Sequence, residues 1–347
     1  MESNQTFPAR ERVLSCMQPT GNLHFGRYFG AVQNWVNLQF SYQCFYGIVD
    51  YHAMTMPYAA AGLKEATWNG IFGLIASGIH PENLFIQSLI PEHTELAWIL
   101  NCFASYGETQ RMTQFKDKIA QVSEKDKDAF ISVGLFTYPV LQAADILIYK
   151  PKYVPVGKDQ EQHLELTRNI ATRLNHVVGK ELIPVPEALF TEIPKVMSTA
   201  DPSRKMSASL GEKHNINIFS SPEIIKKQIK SAVTDAASSL PSTIESTHKM
   251  SSGVENLFSL LKACGDLSAH EMLMSQYLSN TLKYSELKET VAEALITLTN
   301  PMRERMSDIQ SHKSDYTHMI ISSSENIRKF AKENLNAIKE AVGLMIL

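Results

Sequence analysis

The chain has 347 residues, 36 Asp and Glu against 33 Lys and Arg for a formal charge of −3, and 44% hydrophobic residues. That length suggests about two domains, and the apolar share, with 20% charged residues, is that of a packed globular chain rather than a disordered one. A charge near zero excludes a protein that coats polyanions by broad phosphate neutralisation, but leaves room for a local basic face that docks a structured RNA.

Residues 12–17 read as a strand running into the turn Pro19-Thr20-Gly21-Asn22. Phe25, Phe29, Val32 and Val36 then recur at i, i+4, i+7 and i+11, one face of a helix. Residues 44–49 form a second apolar strand ending in Asp50-Tyr51-His52. A helix over 63–77, a strand over 84–87, a helix over 93–104, a strand over 153–156 and a helix over 159–174 follow. Apolar strands alternating with helices predict an α/β fold, a parallel sheet covered on both faces, with ligands outside the carboxyl ends of the strands. That rule directs attention to 18–27, 50–52 and 157–160. Beyond about residue 198, Pro, Ser and charge dominate up to Lys213. Helical patterns return at 222–233 and 253–263, 238–252 read as a Ser- and Thr-rich loop, and no further strand is expected. Ile327, Ala331, Leu335, Ile338, Val342 and Met345 at helical spacing predict a docked amphipathic C-terminal helix.

Cys16, Cys44, Cys102 and Cys264 lie far apart, without metal-ligand spacing, and read mostly as buried reduced thiols, so no structural metal is expected. The first residues lack an apolar signal core and no apolar run spans a bilayer, which makes the cytoplasm the expected compartment and excludes a membrane partner.

Four groups of side chains could carry chemistry. Gln18-Pro19-Thr20-Gly21-Asn22-Leu23-His24-Phe25-Gly26-Arg27 joins a strand to a helix start, where free N–H groups and the helix dipole suit a phosphate. Gly26 and Gly30 would let a flat ligand come close, although a helix-packing glycine pair fits them equally. Tyr138, Gln142 and Asp145 fall at i, i+4 and i+7, with Pro139 expected in the first turn of their helix. A carboxylate in that apolar run needs donors, either a flat ligand presenting an N–H or a protein group. In Val154-Pro155-Val156-Gly157-Lys158-Asp159-Gln160, Gly157 permits close approach and Asp159 suits a ribose hydroxyl, a helix N-cap, or both. His52 could line the same crevice or be a core histidine. Lys205-Met206-Ser207-Ala208-Ser209 lies in a loop, where Lys205 could neutralise a departing pyrophosphate or simply be solvated.

Together these blocks resemble the class I aminoacyl-tRNA synthetases. Residues 20–27 look like the HIGH signature and 205–209 like the KMSKS loop. The pairing of Tyr138-Pro-Val-Leu-Gln-Ala-Ala-Asp145 with Val154-Pro-Val-Gly-Lys-Asp-Gln160, and the run Arg111-Met-Thr-Gln-Phe-Lys116, are similar to the tryptophanyl branch. The likeness runs from about residue 12 to 235.

The resemblance implies a Rossmann-type parallel-sheet catalytic domain over 1–200, the KMSKS-like loop over 201–213, an α-helical anticodon-binding domain over 214–300 and returning C-terminal helices over 301–347. It implies a homodimer, with L-tryptophan, ATP with Mg²⁺ and tRNA(Trp) as substrates. Carried over by position, Gln18, Pro19, Thr20, Gly26, Arg27, Gly157, Lys158, Asp159, Val196 and Lys205, Met206, Ser207, Ala208 and Ser209 would hold ATP, with Lys205 and Gln18 acting in catalysis. His52, Tyr138, Gln142, Asp145 and Gln160 would line the tryptophan pocket, Asp145 accepting the indole N–H. Arg27 departs from the usual His or Asn, Ala208 replaces the second Lys of many members, and Gln142 stands where several bacterial members have Met. A tyrosyl-type synthetase, a small-molecule adenylyltransferase and a non-catalytic RNA-binding paralogue are the rival readings. Lys226, Lys227 and Lys230, with Ile225 and Ile229 turned inward, are the expected tRNA-facing residues or an ordinary solvated helix face.

Overall fold

The computed structural model describes residues 10–125, 130–157, 160–189, 196–234 and 250–346. Apolar runs build β1 (Arg12–Met17) and β2 (Gln43–Ile48), which pair in parallel from Arg12 opposite Gln43 to Met17 opposite Ile48. With β3 (Leu84–Ile86), β4 (Tyr153–Pro155) and β5 (Glu187–Leu189) they form one parallel sheet in the order β3-β2-β1-β4-β5. The chain steps outward from β1 to β3, then returns to lay β4 on the other side of β1. The order therefore reverses between β1 and β4, the kind of switch point where such sheets open a crevice.

Around the sheet run α1 (Phe25–Arg27), α2 (Gln33–Leu38), α3 (Asp50–Ala53), α4 (Ala60–Ala76), α5 (Glu92–Asn101), α6 (Tyr106–Gln110) and α7 (Thr113–Lys125). They are followed by α8 (Val133–Leu147), α9 (Glu161–Val178), α10 (Pro222–Lys230), α11 (Ser252–Ala263), α12 (Leu267–Leu278), α13 (Tyr284–Ser311) and α14 (Lys313–Ala341). Successive strand residues face opposite ways. Val13, Tyr46, Ile48 and Ile86 enter one core, which continues without interruption into Ile225, Leu257 and Leu295 of the helical region. Leu14, Phe45 and Phe85 enter the other, beneath α5, α8, α9 and α14. The C-terminal helix docks as its spacing predicts: Ile327, Ala331, Leu335 and Ile338 are buried. It also covers the sheet edge, where Ser323 Oγ donates to Leu84 O at 2.8 Å and Ile86 N donates to Ser324 Oγ at 3.3 Å.

Several expectations need correction. A π-helical turn, Tyr28–Val32, separates α1 from α2, so Tyr28 as well as Phe29 turns into the core. Pro139 is not in a first turn: α8 begins at Val133, capped by Ser132 Oγ accepting from Leu135 N at 3.1 Å, and Pro139 lies inside it. β5 escaped the pattern because Glu187-Ala-Leu189 carries no β-branched or aromatic residue, unlike the equally short β3 and β4. Helix α14 ends at Ala341, Gly343 takes φ +81°, and Met345 is 90% exposed rather than docked. The division at 300/301 falls inside α13. Cys102 is exposed, Cys44 buried, and Cys16 and Cys264 half-buried, all four free. Most of the expected Ser/Thr-rich loop, 238–252, lies outside the described residues. Among them no strand follows β5, and no helix is long and apolar enough to cross a membrane.

Candidate active site

A cavity of about 330 Å³ opens at the reversal between β1 and β4. Gln18 reaches it from the end of β1, His52 from α3, Tyr138, Gln142 and Asp145 from one face of α8, and Gln160 from the start of α9. The structure thus brings together every side chain expected around an amino-acid ligand. Gln142 Nε2 donates to Gln160 Oε1 at 3.4 Å, and the Tyr138 hydroxyl shares a 2.8 Å hydrogen bond with buried His163 Nε2. Burial pushes the Tyr138 phenol up to about 12, so it enters the cavity protonated. Lys118 of α7, not singled out in the sequence, sits with Nζ 4.1 Å from the Tyr138 ring centroid, and burial holds its amine below the ordinary lysine value.

Asp145 is only 2% exposed and already has protein partners. His52 Nε2 lies 2.8 Å from Oδ2, while Gln87 Nε2 and His93 Nδ1 each lie 2.7 Å from Oδ1. Burial favours the neutral acid, but the hydrogen bonds from His52 and His93 outweigh it and hold the carboxyl at about 2. An ionised carboxylate only accepts, so both imidazole nitrogens donate to it. The two alternatives left open for this residue therefore combine: Asp145 is held by protein donors and still borders the cavity. His52 is likewise both a cavity wall and a partner of Asp145.

Beside the cavity, the strand–helix turn and the loop over 205–209 pack directly on one another. Thr20 N donates to Gln18 O at 2.8 Å, and Gly21 takes φ +64°, a left-handed conformation that suits glycine. A Cβ on Gly21 would come within 2.7 Å of Ala208 Cβ, and one on Gly26 within 3.0 Å of Met206 Cβ. Gly26 N donates to Met206 Sδ at 3.3 Å, and Met206 N to Val196 O at 3.1 Å. His24 caps the helix, its Nδ1 accepting from Arg27 N at 3.3 Å. Burial, with the nearby Arg27 cation, lowers its pKa to about 4. Arg27 donates to Thr20 O at 2.6 Å and to Thr20 Oγ1 at 3.3 Å, and burial lowers its pKa. Pro19, Thr20 and Arg27 face a second cavity of about 150 Å³ toward α4 and α13, which shares Gln18 with the first. Lys205 is exposed, and its backbone forms an antiparallel bridge with Met197. Gly157 O accepts from Gln160 N at 2.9 Å. Ser207 is half-buried, while Lys158, Asp159 and the Ser209 side chain lie outside the described residues.

Gln87 and His93 were missed, yet a signal existed: both follow the carboxyl end of β3, the one early strand end not inspected for ligands. Among the described residues no three His, Cys, Asp or Glu side chains are grouped so as to hold a metal ion.

Comparison with known proteins gives the same picture. The family model for class I tRNA synthetases (W and Y) matches residues 8–300. Tryptophan–tRNA ligase 2 of Streptomyces avermitilis is 40% identical over 340 residues, 97% of this chain and 98% of the relative. Tryptophan–tRNA ligase of Rickettsia conorii is 38% identical over 341 residues, covering 97% of this chain and 100% of the relative. The crystal structure of tryptophanyl-tRNA synthetase from Campylobacter jejuni, complexed with ADP and tryptophan, superposes with a TM-score of 0.80 at 35% identity, covering 96% of this chain and all of that one. A parallel sheet with a crevice at its reversal, a turn and loop in contact beside it, and a match over most of the length lead to one conclusion: the chain belongs to the class I tRNA synthetases of the tryptophan and tyrosine group.

Proposed function

We propose that the protein activates L-tryptophan with ATP-Mg²⁺ and then charges tRNA(Trp). The observation that carries this reading is the buried, ionised Asp145 beside Tyr138, Gln142 and Gln160 in a cavity at the carboxyl ends of β1 and β4. An acceptor with no proton of its own suits an indole N–H, and the relatives named as tryptophan–tRNA ligases support the choice of amino acid. In the first step the tryptophan carboxylate attacks the α-phosphorus, a mixed carboxylic–phosphoric anhydride bond forms, and the bond from the α-phosphorus to the bridging oxygen breaks to release pyrophosphate. In the second, a terminal ribose hydroxyl of the tRNA attacks the carbonyl and AMP leaves. No protein nucleophile is required, so the chain supplies positioning and charge stabilisation. Gln18, Pro19, Thr20, Gly26, Arg27, Gly157, Lys158, Asp159, Val196 and residues 205–209 would hold ATP, with Mg²⁺ arriving on its phosphates. Lys205 would act on the departing pyrophosphate.

The protein acts in the cytoplasm as a homodimer, with a sheet-based catalytic part and a helical anticodon-binding part. The dimer is supported by apolar side chains left exposed on neighbouring elements: Trp98 at 75%, Tyr106 at 69% and Val133 at 77%.

The test is amino-acid-dependent exchange of pyrophosphate into ATP by the purified protein. Exchange should depend on tryptophan, with tyrosine orders of magnitude poorer. A folded protein with no exchange overturns the reading, and exchange driven by tyrosine replaces it with the tyrosyl activity.

A further inference from the structure

We infer that Gln87 and His93, which do not border the cavity, are positioning residues that reduce Asp145 to a single acceptor site and so set the discrimination for a substrate N–H. The inference rests on the proposed tryptophan pocket and goes beyond it, to side chains behind the pocket wall.

An ionised carboxylate offers about four acceptor positions, two on each oxygen. Gln87 Nε2 and His93 Nδ1, each at 2.7 Å, fill both positions on Oδ1. His52 Nε2, at 2.8 Å, fills one on Oδ2. One position remains, on the oxygen held by the cavity-wall histidine. The donors behind it cannot swing away to serve it, because Gln87 and His93 are both fully buried. Tyr51 N donates to Gln87 Oε1 at 3.1 Å, which turns the amide nitrogen toward Asp145. His93 is fixed by the Tyr149 hydroxyl, 2.8 Å from Nε2, and by the Phe85 ring stacked at 5.6 Å. A substrate without an N–H thus leaves a buried anion one partner short, since the donors behind it are already committed to Oδ1. Sites of this construction reject the analogue that lacks the donor far more strongly than apolar pockets reject a missing methylene.

The experiment compares pyrophosphate exchange driven by tryptophan with exchange driven by the analogue carrying sulfur in place of the indole N–H. His93→Phe keeps the ring and removes the donor, Gln87→Met removes the amide, and His93→Asn restores an N–H close to the Nδ1 position. His93→Phe and Gln87→Met should each lower the tryptophan-to-analogue ratio of kcat/KM about tenfold, the size expected of a hydrogen bond to a charged group. KM for ATP should stay unchanged, and His93→Asn should keep most of the ratio. Equal losses for both amino acids would mean a structural role only and overturn the inference. Tyr149→Phe, which deletes one hydroxyl behind His93, is the gentle variant should the others not fold. It should lower the ratio about threefold, and an unchanged ratio would overturn the inference. A wild-type protein that exchanges on both amino acids equally would overturn the N–H reading of Asp145 itself, an outcome separate from any result with the variants.

Discussion

Two cations beside the cavity, Arg27 and Lys118, are partly withdrawn from water, and burial lowers the pKa of each, whereas Lys205 is exposed. An exposed ammonium is solvated and screened in the free enzyme, so it holds little ground-state binding energy. Its contribution should appear when charge moves onto the departing pyrophosphate. Ala208, three residues on, offers no second cation: it packs against Gly21. Lys205→Ala should therefore slow adenylate formation by roughly 10²–10³ with KM for tryptophan unmoved, the loss typical of one such electrostatic contact. Single-turnover measurement of adenylate formation gives both quantities. A near-normal rate would transfer the role to Lys118, Arg27 or Arg204.

At the scale of elements, the helix start at His24 carries a pH dependence of known sign. Its Nδ1 must keep a lone pair to accept from Arg27 N, and protonation would place a second cation beside Arg27 in a buried site. With a folded pKa of about 4 against an ordinary 6.5, the unfolded chain binds the extra proton between those values. The stability His24 provides is thus complete above about 6.5 and is lost as pH falls toward 4. Asp145, also depressed, follows the same sign in a lower window, complete above its ordinary value of 3.8 and lost only toward about 2, so the two windows do not overlap. Thermal melts from pH 7 to 4.5 should show a falling Tm. His24→Asn, which keeps a capping acceptor that does not titrate, should flatten that slope, and an unchanged slope would place the acid sensitivity elsewhere. The elements legible in the sequence were those carrying an apolar, β-branched or aromatic run or a helical period. Six-residue β1 and β2 and the Tyr138, Gln142, Asp145 face of α8 are examples. Three-residue β5, the π-helical turn at 28–32 and the true start of α8 were not: β5 lacks strand-forming side chains, the π turn inserts a residue into the helical period, and Pro139 reads as a helix start although α8 begins six residues earlier. Gln87 and His93 lie 58 and 52 residues from Asp145, and no local period reports such a pairing.

At the scale of the whole molecule, one apolar core joins the sheet to the helical region, so α10 presents its outer face from a fixed base. Ile225 and Ile229 are fully buried, and Lys226, Lys227 and Lys230 all point outward, as their spacing predicts. The three are not equivalent. Lys226 Nζ lies 2.6 Å from Glu293 on α13, which raises its pKa and ties its charge to a carboxylate. A phosphate reaching Lys226 must compete with Glu293, whereas among the described residues no carboxylate pairs with Lys227 or Lys230. If this face meets tRNA, Lys227→Gln with Lys230→Gln should weaken binding and flatten its salt dependence by about 0.7–0.9 per lost contact on the log–log slope. Lys226→Gln should change the slope by less than either. Tryptophan-dependent exchange without tRNA should be unaffected, since α10 contributes nothing to the cavity between β1 and β4. Filter binding of tRNA(Trp) at several salt concentrations, alongside exchange on the same variants, makes the comparison. A slope that does not move, or exchange lost with it, would place the tRNA surface on another face of the helical region.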